Sequence, residues 1–321
     1  MNKIKYTVDR IFDGNKVEVG DQIDYDIYNA DDNEVTIELG TRRIFLKKTE
    51  SNKIGAGVFK LHKISYSEIE HQPVTLTEDK ILEVGSEFSS VTNGIDTFLE
   101  QLHAYKEMGI QVPKRGFLVY GPPGSGKTTG IITVIKKYLD ANTLVMIWPS
   151  GNIEASSVSD YLKDVDYTIV KRILLVIEDL GGVEIADKDF AASEDLLSLL
   201  DNQVQTFKCP TVIIGTTNFP ENFVSAVANR PGRFDEKIQV GYPSAEWRAS
   251  MVRLLNPNLT DEECELVKNK KCDKLTPAHL KEAVIRNRIY KKPFSEALQS
   301  VVDDVKAYEA AFKEAKERMG F

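Results

Sequence analysis

The stretch of this chain that most constrains its fold is a glycine-rich turn between two apolar segments. An apolar run typical of a buried strand precedes the turn at residues 117–120, and apolar side chains recur at helical spacing over residues 131–139 after it. The turn has the pattern G-x-x-x-x-G-K-[ST], and its residues are Gly121, Pro122, Pro123, Gly124, Ser125, Gly126, Lys127, Thr128 and Thr129. Strand, turn and helix in this order are the context in which that pattern forms a phosphate-binding loop.

The residue types in this turn suit a triphosphate. Glycine lets backbone N–H groups converge on phosphate oxygens without a Cβ clash, and the following helix adds the positive end of its dipole. We therefore expect Lys127 at the β- and γ-phosphates and the Thr128 hydroxyl at Mg²⁺. A Gly/Pro-rich turn that ends in Lys-Thr by chance is the competing interpretation, and the flanking pattern disfavours it. The sequence thus predicts a site for a nucleoside triphosphate.

The chain divides into three predicted units, which are residues 1–84, 85–243 and 244–321. The first unit is β-rich, because alternating or β-branched runs are separated by turn residues, and its strand candidates are residues 35–39, 43–47 and 57–64. A small β-sheet domain of this kind either selects a binding partner or only packs against the rest of the chain. The sequence leaves both interpretations open.

The second unit alternates strands with helices. After the phosphate-binding loop and its helix, the predicted elements are a strand at 142–148, a helix at 158–165, a strand within 172–180, a helix at 195–204 and strands at 211–214 and 237–240. This order implies an α/β fold with a parallel sheet covered by helices. The third unit is helical, with helices predicted at residues 245–255, 261–268, 277–290 and 293–319.

Two carboxylates, Glu178 and Asp179, follow the apolar run of residues 173–177. Carboxylates at the C-terminal edge of a parallel sheet are suited to hold a metal ion and to activate water. An ordinary solvated pair on a turn is the competing interpretation. Asn218 ends the next apolar strand, where its amide could orient a water between an acid and a γ-phosphate.

Two arginines, Arg230 and Arg233, flank a Pro-Gly turn further along the chain. One functional interpretation is an arginine finger, a cation that one subunit supplies to the triphosphate bound by its neighbour. Two arginines on a turn are, taken alone, more often simply solvated.

Together these motifs resemble those of an AAA-family ATPase of the AAA+ superfamily. The phosphate-binding loop is shared with many nucleotide-binding families, whereas the run Arg-Pro-Gly-Arg-Phe-Asp at residues 230–235 after a Thr-Asn strand end is far more specific. The resemblance extends from about Phe88 through the helical C-terminal region and leaves the N-terminal unit uncovered. It implies ATP and Mg²⁺ as cofactors, a parallel sheet sandwiched by helices, a small helical domain, and a homo-oligomeric ring, usually a hexamer, with ATP between subunits.

The resemblance also implies roles for single residues. Asn218 corresponds to the sensor of the γ-phosphate, and Arg230 and Arg233 correspond to fingers that act on a neighbouring subunit. Residues 91–94 correspond to the region that contacts adenine, and Ala278 to the region where the small domain faces the nucleotide.

The acid pair departs from the family pattern. The family usually has Asp-Glu at this point, with Asp at the metal and Glu on the water, and here the order is Glu178-Asp179. By position Glu178 takes the metal and Asp179 the water, and by residue type the roles are exchanged. A similar Glu-Asp order occurs in the mitochondrial AAA translocase that moves folded Rieske protein, so the order is compatible with hydrolysis.

A second departure concerns the central pore. Unfoldases of the family carry an aromatic-apolar-Gly loop after the second strand, which grips an unfolded polypeptide. Here residues 148–157 contain one aromatic side chain, Trp148, at the strand end. The sequence favours a packing role for Trp148 over a gripping role.

The composition of the chain restricts the cellular compartment and the classes of binding partner that we expect. The net charge of −8 does not favour nucleic acid as a partner, although a local basic groove remains compatible with it. The longest core-like run falls far short of the ~20 residues of a membrane-spanning helix, and three scattered cysteines indicate a reducing compartment. We therefore expect a cytoplasmic protein without a membrane partner.

The leading hypothesis is an ATP-hydrolysing, oligomeric remodeller or chaperone of a protein partner that residues 1–84 recognise. One alternative is a nucleic-acid-associated ATPase, such as a loader or a helicase accessory. The other is a nucleotide-gated scaffold with weak hydrolysis, which the order of the acid pair would explain.

Overall fold

A computed structural model describes the fold over ten stretches of the chain, which are residues 6–12, 34–39, 42–48, 53–63, 69–76, 87–149, 153–180, 194–201, 206–220 and 232–318. The strands in these stretches are β1 (Tyr6–Phe12), β2 (Glu34–Leu39), β3 (Arg42–Lys48), β4 (Gly57–Lys63), β5 (Ile69–Pro73), β6 (Lys114–Tyr120), β7 (Thr143–Pro149), β8 (Arg172–Glu178), β9 (Thr211–Thr217) and β10 (Glu236–Gln239). The α-helices are α1 (Glu87–Glu100), α2 (Leu102–Glu107), α3 (Lys127–Tyr138), α4 (Ala155–Lys163), α5 (Glu194–Asp201), α6 (Ala245–Leu255), α7 (Asp261–Glu265), α8 (Pro277–Arg288) and α9 (Phe294–Arg318).

The structure confirms most of the predicted elements and adds several. The predicted strands of the first unit are present as β2, β3 and β4, whereas β1 and β5 are not predicted by the sequence pattern. The predicted helix at 261–268 is a short α-helix, α7, followed by the 3-10 turn Leu266–Lys268. The predicted helix at 195–204 corresponds to α5, and residues 202–205 lie outside the described residues.

The strands form two sheets. A three-stranded antiparallel sheet has the order β1-β3-β2, and a seven-stranded sheet has the order β10-β6-β9-β8-β7-β4-β5. Neighbours from β10 to β4 are parallel, and β5 is an antiparallel edge strand on β4. The fold is therefore α/β, as the alternating element order implies.

The position of β4 differs from the expected one. The sequence pattern groups residues 57–64 with the N-terminal sheet, but β4 pairs in parallel with β7 of the large sheet, with Lys60 opposite Ile147. Alternation identifies a strand but carries no information on which sheet it joins. Val58 and Leu61 of β4 are buried in the core of the large sheet.

Helices cover both faces of the large sheet, as is required for parallel strands that are apolar on both sides. On one face, α1 and α3 pack on the sheet through buried side chains such as Ile95 and Val134. On the other face, α4 and α5 pack through Leu162 and Leu200. The C-terminal helices have a separate core that includes Phe294.

The sheet order determines where the polar motifs meet. Because β6, β9 and β8 are parallel neighbours, their carboxyl ends lie at the same edge of the sheet. The phosphate-binding loop follows β6, Asn218 follows β9, and Glu178 ends β8. Within the described residues, no helix combines the length and the apolar character that crossing a membrane requires.

Candidate nucleotide-binding site

The phosphate-binding loop connects the end of β6 to the first residue of α3. Its backbone is left-handed at Gly124 (φ +73°) and at Gly126 (φ +94°), which is the residue before α3. Non-glycine residues are strained in that region, so these two glycines permit the sharp turn. The first N–H groups of a helix have no partner within the helix, so those of α3 are available to an anion. Lys127, Thr128 and Thr129 form the first turn of α3.

Close packing surrounds this loop on two sides. A Cβ at Gly121 would overlap the carbonyl oxygen of Val240, which follows β10. A Cβ at Gly124 would lie 2.9 Å from Cβ of Ala278 at the start of α8. The Ala278 N–H donates to the Gly124 carbonyl oxygen at 3.3 Å. The predicted position of Ala278 beside the nucleotide-binding loop is therefore confirmed.

The Lys127 side chain is buried, with 8% of its surface exposed. Its Nζ donates to the carbonyl oxygens of Gly121 at 2.8 Å and Pro122 at 3.0 Å, and to Oδ1 of Asn218 at 2.6 Å. Burial lowers the pKa of the Lys127 ammonium to about 8, against the opposing effect of the Asp179 carboxylate. The loop thus holds a desolvated cation at the edge of the sheet.

Asn218 links this cation to the acid pair. Its Nδ2 donates to Oδ1 of Asp179 at 2.8 Å, while its Oδ1 accepts from Lys127. An ammonium only donates and a carboxylate only accepts, so the two partners determine which way the amide faces. Lys127, Asn218 and Asp179 form a continuous hydrogen-bonded chain across the ends of β6, β9 and β8.

The two carboxylates face the same cleft because the chain turns at Asp179, directly after the end of β8. Asp179 has a left-handed backbone, with φ of +55°, and its N–H donates to Oγ1 of Thr216 at 3.0 Å. Asp is one of the residues that adopt this conformation at modest cost. Glu178 lies 3.4 Å from Nζ of Lys60 on β4, measured at its Oε2. Both carboxylates line the cleft beside the phosphate-binding loop.

The cleft has a volume of about 590 Å³, within the ordinary range for a small-molecule site. One wall consists of the phosphate-binding loop and the strand ends. The opposite wall belongs to the C-terminal helices, and its residues are Trp247, Met251, Leu255, Pro277, Ala278 and Lys281. Residues 91–94 are not among the residues that line this cleft, and Val91 is fully buried in the core, so their contact with adenine stays a prediction.

The sequence motifs do not include most residues of this second wall. Trp247, Met251 and Leu255 have the i, i+4, i+8 spacing of one helix face. The same spacing is used to pack a core, so it could not identify a ligand-binding face. The sequence signal was a Trp, a large side chain with an apolar body, on the first helix after the nucleotide-binding unit.

Three further residues that the sequence analysis named are Ser125, Trp148 and Arg230. Ser125 of the loop is buried, and its hydroxyl has no hydrogen-bond partner among the described residues. Trp148 is buried and donates from Nε1 to the carbonyl oxygen of Ile153 at 3.0 Å, which confirms its predicted packing role. Arg230 lies outside the described residues.

Arg233 is placed far from the phosphate-binding loop of its own chain. Its guanidinium is 4% exposed and forms a bidentate pair with Asp201 of α5, at 2.9 Å from Nε and 3.0 Å from Nη2. A Cβ at Gly116 would overlap the Arg233 carbonyl oxygen, so Arg233 packs beside the first half of β6, whereas the phosphate-binding loop follows its end.

Comparison with known proteins agrees with this geometry. Residues 117–242, which include the phosphate-binding loop, the acid pair and both arginines, match the model of the ATPase family associated with various cellular activities (AAA). The chain therefore contains an AAA domain. Its AAA domain begins in β6 and ends after β10, so the matched region contains the five parallel strands from β10 to β7.

Similar proteins come from plants, animals and bacteria. An AAA-ATPase of Arabidopsis thaliana is 30% identical over 217 residues, covering 61% of this chain and 41% of the relative. The ATPase family gene 2 protein homolog A of Homo sapiens is 29% identical, covering 56% of this chain and 21% of the relative. The ATP-dependent zinc metalloprotease FtsH 2 of a Thermoanaerobacter species is 27% identical, covering 65% and 44%. The chain spans less than half the length of each of these relatives.

The residues of the cleft fit a magnesium nucleotide. The loop around Gly124 and Gly126 has the left-handed backbone of a phosphate cradle, and a buried ammonium lies beside it. Thr128 supplies a hydroxyl and Glu178 supplies a carboxylate, and both residues line the cleft. Hydroxyl and carboxylate oxygens are the protein ligands that Mg²⁺ prefers.

Proposed function

We propose that this protein is an ATP-hydrolysing AAA machine that remodels a protein partner. The observation that carries the hydrolytic part is the hydrogen-bonded chain from Lys127 through Asn218 to Asp179. It joins a phosphate-binding cation, an amide and a carboxylate at a single edge of the sheet. Phosphoryl transfer to water requires groups of these three kinds, because positioning and charge stabilisation supply most of the catalysis.

We assign each residue a role from its position. Lys127 and the loop N–H groups bind the β- and γ-phosphates, while Thr128 and Glu178 would hold Mg²⁺. Bound Mg²⁺ would neutralise the charge that develops on the phosphates. Asp179 accepts a proton from the attacking water, and Asn218 orients that water, because its amide lies within 2.8 Å of the Asp179 carboxylate. The nucleobase packs on the helical wall around Trp247.

Hydrolysis of ATP by the purified chain tests this proposal. The wild-type protein is expected to release phosphate only in the presence of Mg²⁺. Substitution Asn218→Ala should reduce turnover while nucleotide binding persists, because Asn218 orients water and is not the main phosphate ligand. Absence of turnover at every protein concentration, with the chain folded, would overturn the enzymatic part.

We further propose that the active form is a homo-oligomeric ring, most simply a hexamer. Arg233 and Arg230 would act on the ATP of a neighbouring subunit, which agrees with the position of Arg233 beside the first half of β6. In the single chain Arg233 is paired with Asp201, so a role across the interface requires that this pair rearranges or that Arg233 orients Arg230.

A mixing experiment tests the shared site. Subunits with Arg230→Ala and subunits with Lys127→Ala are each expected to be inactive. Mixed rings should recover part of the activity, because some sites then combine an intact loop with an intact arginine. Intact mixed rings without any recovery would contradict the shared site.

The remodelling role rests on the additional N-terminal part of the chain, which contains the separate sheet of β1, β2 and β3. A chain that lacks residues 1–48 keeps β4 and β5 of the large sheet. It should retain ATP hydrolysis and lose the protein that co-purifies with the ATP-trapped full chain. Stimulation of the full chain by DNA or RNA would instead favour the nucleic-acid alternative.

A further inference from the structure

Lys60 brings a cation from β4 to the acid pair. Its Nζ lies 3.4 Å from Oε2 of Glu178, and 40% of the Lys60 side chain and 27% of the Glu178 side chain are exposed. Lys60 belongs to a strand that precedes the AAA domain in the sequence and that the motifs do not include. The ion pair is therefore a direct contact between the preceding segment and the nucleotide-binding site.

The register of the sheet explains this contact. Lys60 is paired with Ile147 on β7, and Ile147 is paired with Val176 on β8. Paired residues on neighbouring strands point to the same face, and so do residues two positions apart on one strand. Glu178 follows Val176 by two positions, so Lys60 and Glu178 lie on the same face. That face also contains the side chains that pack against α3.

The geometry of the pair indicates an exchangeable contact. A separation of 3.4 Å is longer than the roughly 2.7–2.9 Å of a tight charge-assisted hydrogen bond. Partly exposed ion pairs contribute little to folding stability. The main effect of the Lys60 charge is thus on the neighbouring Glu178, because a positive charge beside this carboxylate opposes the binding of a second cation there.

We propose that Lys60 is a positioning residue that orients the Glu178 carboxylate and weakens Mg²⁺ binding until the metal replaces it. This inference rests on the proposed metal-binding role of Glu178. Mg²⁺ and the Lys60 ammonium compete for the same carboxylate. The Mg²⁺ concentration that half-saturates the site therefore depends on the position of Lys60 on β4. A displacement of β4 would therefore change metal affinity without any change in the phosphate-binding loop.

The test measures binding and not turnover. The full chain is titrated with Mg²⁺ in the presence of a fluorescent, non-hydrolysable ATP analogue, and the half-saturating Mg²⁺ concentration is read from fluorescence anisotropy. Lys60→Met is expected to lower that concentration about three- to fivefold, the size expected for a partly exposed ion pair. Lys60→Arg should stay close to wild type because it keeps the charge.

Two controls isolate the effect. Lys137→Met removes another ion pair of similar exposure, with Asp96, and should leave the Mg²⁺ requirement unchanged. In a Glu178→Gln background, Lys60→Met should have no further effect, because the carboxylate through which it acts is gone. Lys60→Gln replaces Lys60→Met if the latter fails to give the wild-type thermal unfolding curve.

The outcomes separate this inference from the proposed function. Unchanged Mg²⁺ dependence in folded Lys60→Met, or an equal shift in the Glu178→Gln background, overturns the role of Lys60 and leaves the proposed function intact. A wild-type chain that binds the analogue equally well with and without Mg²⁺ contradicts both.

Discussion

The two walls of the cleft are built in different ways. The phosphate wall consists of strand ends and a glycine-rich loop, and its polar side chains bond to one another in the chain Lys127, Asn218, Asp179. The helical wall presents Trp247, Met251 and Leu255 on one face of α6. The first wall offers charged and polar groups held by directed contacts, whereas the second offers mainly apolar area.

This difference predicts how the two walls respond to substitution. Losing a buried charged group removes specific hydrogen bonds and leaves their partners unsatisfied, which costs more than losing apolar contact area at a partly open surface. Mutations on the phosphate wall should therefore have the larger effects, and those effects should not depend on the base.

The largest effect on ATP binding is expected for Lys127→Ala. Removing the ammonium takes away the cation at the phosphates, so ATP affinity should fall by about 100-fold or more. Isothermal titration calorimetry measures this loss. Lys136→Ala, one position before the exposed Lys137 on α3, is the matched control and should bind ATP as the wild type does. Equal ATP affinity of Lys127→Ala and wild type would contradict the role of this wall in phosphate binding.

Asp179→Asn should lower turnover by about 10²- to 10⁴-fold, because the amide cannot accept the proton of the attacking water. ATP affinity should stay close to wild type. Glu178→Gln is the comparison, and we expect it to raise the Mg²⁺ concentration required for turnover. Single-turnover kinetics at several Mg²⁺ concentrations separate the two. The opposite pattern would exchange the roles of the two acids.

Trp247→Ala should weaken ATP binding by about tenfold, since it removes a large apolar contact from the helical wall. Tyr242→Ala removes an exposed aromatic side chain close in sequence to Trp247 and is expected to have no effect. Fluorescence anisotropy with a labelled ATP analogue measures both. An unchanged affinity in Trp247→Ala would mean that the base does not use this wall.

The smallest effect concerns pH. Burial lowers the pKa of Lys127 to about 8, so the free site loses its positive charge as the pH rises through that value, whereas bound phosphates favour the charged form. ATP affinity should therefore fall about threefold between pH 7.5 and 8.5. In Lys127→Arg the cation does not titrate, and a flat profile over the same range is expected. An equal decline in both proteins would assign the pH dependence to another group.

The same contrast explains what the sequence could predict. The residues of the phosphate wall were predictable, because its glycines and Lys127 must occur in a fixed local order, and because Asp179 and Asn218 each follow an apolar strand of the predicted parallel sheet. The helical wall was not, because the spacing of Trp247, Met251 and Leu255 is also the spacing of a packed helix face. The structure shows that this face of α6 lines the cleft opposite the loop, and that Ala278 of α8 contacts the loop at Gly124.

The pairing of strands that are far apart in the chain was the other feature that the sequence could not predict. The pattern of residues 57–64 predicts a strand, and the strand is present, but its pairing with β7 depends on contacts with residues about ninety positions away. The contact of Lys60 with Glu178 follows from that pairing and has no local signature. The same holds for Arg233, whose pairing with Asp201 is invisible in the Arg-Pro-Gly-Arg motif.

The most direct test of the account compares ATP with inorganic tripolyphosphate, which has the phosphates and lacks the base and sugar. Calorimetry in the presence of Mg²⁺ gives the dissociation constants of both ligands for wild type, Lys127→Ala and Trp247→Ala. Lys127→Ala is expected to weaken the binding of both ligands strongly, and Trp247→Ala is expected to weaken the binding of ATP alone. Equal weakening of ATP and tripolyphosphate by Trp247→Ala, or unchanged tripolyphosphate binding by Lys127→Ala, would contradict the division of the cleft into a phosphate wall and a base wall.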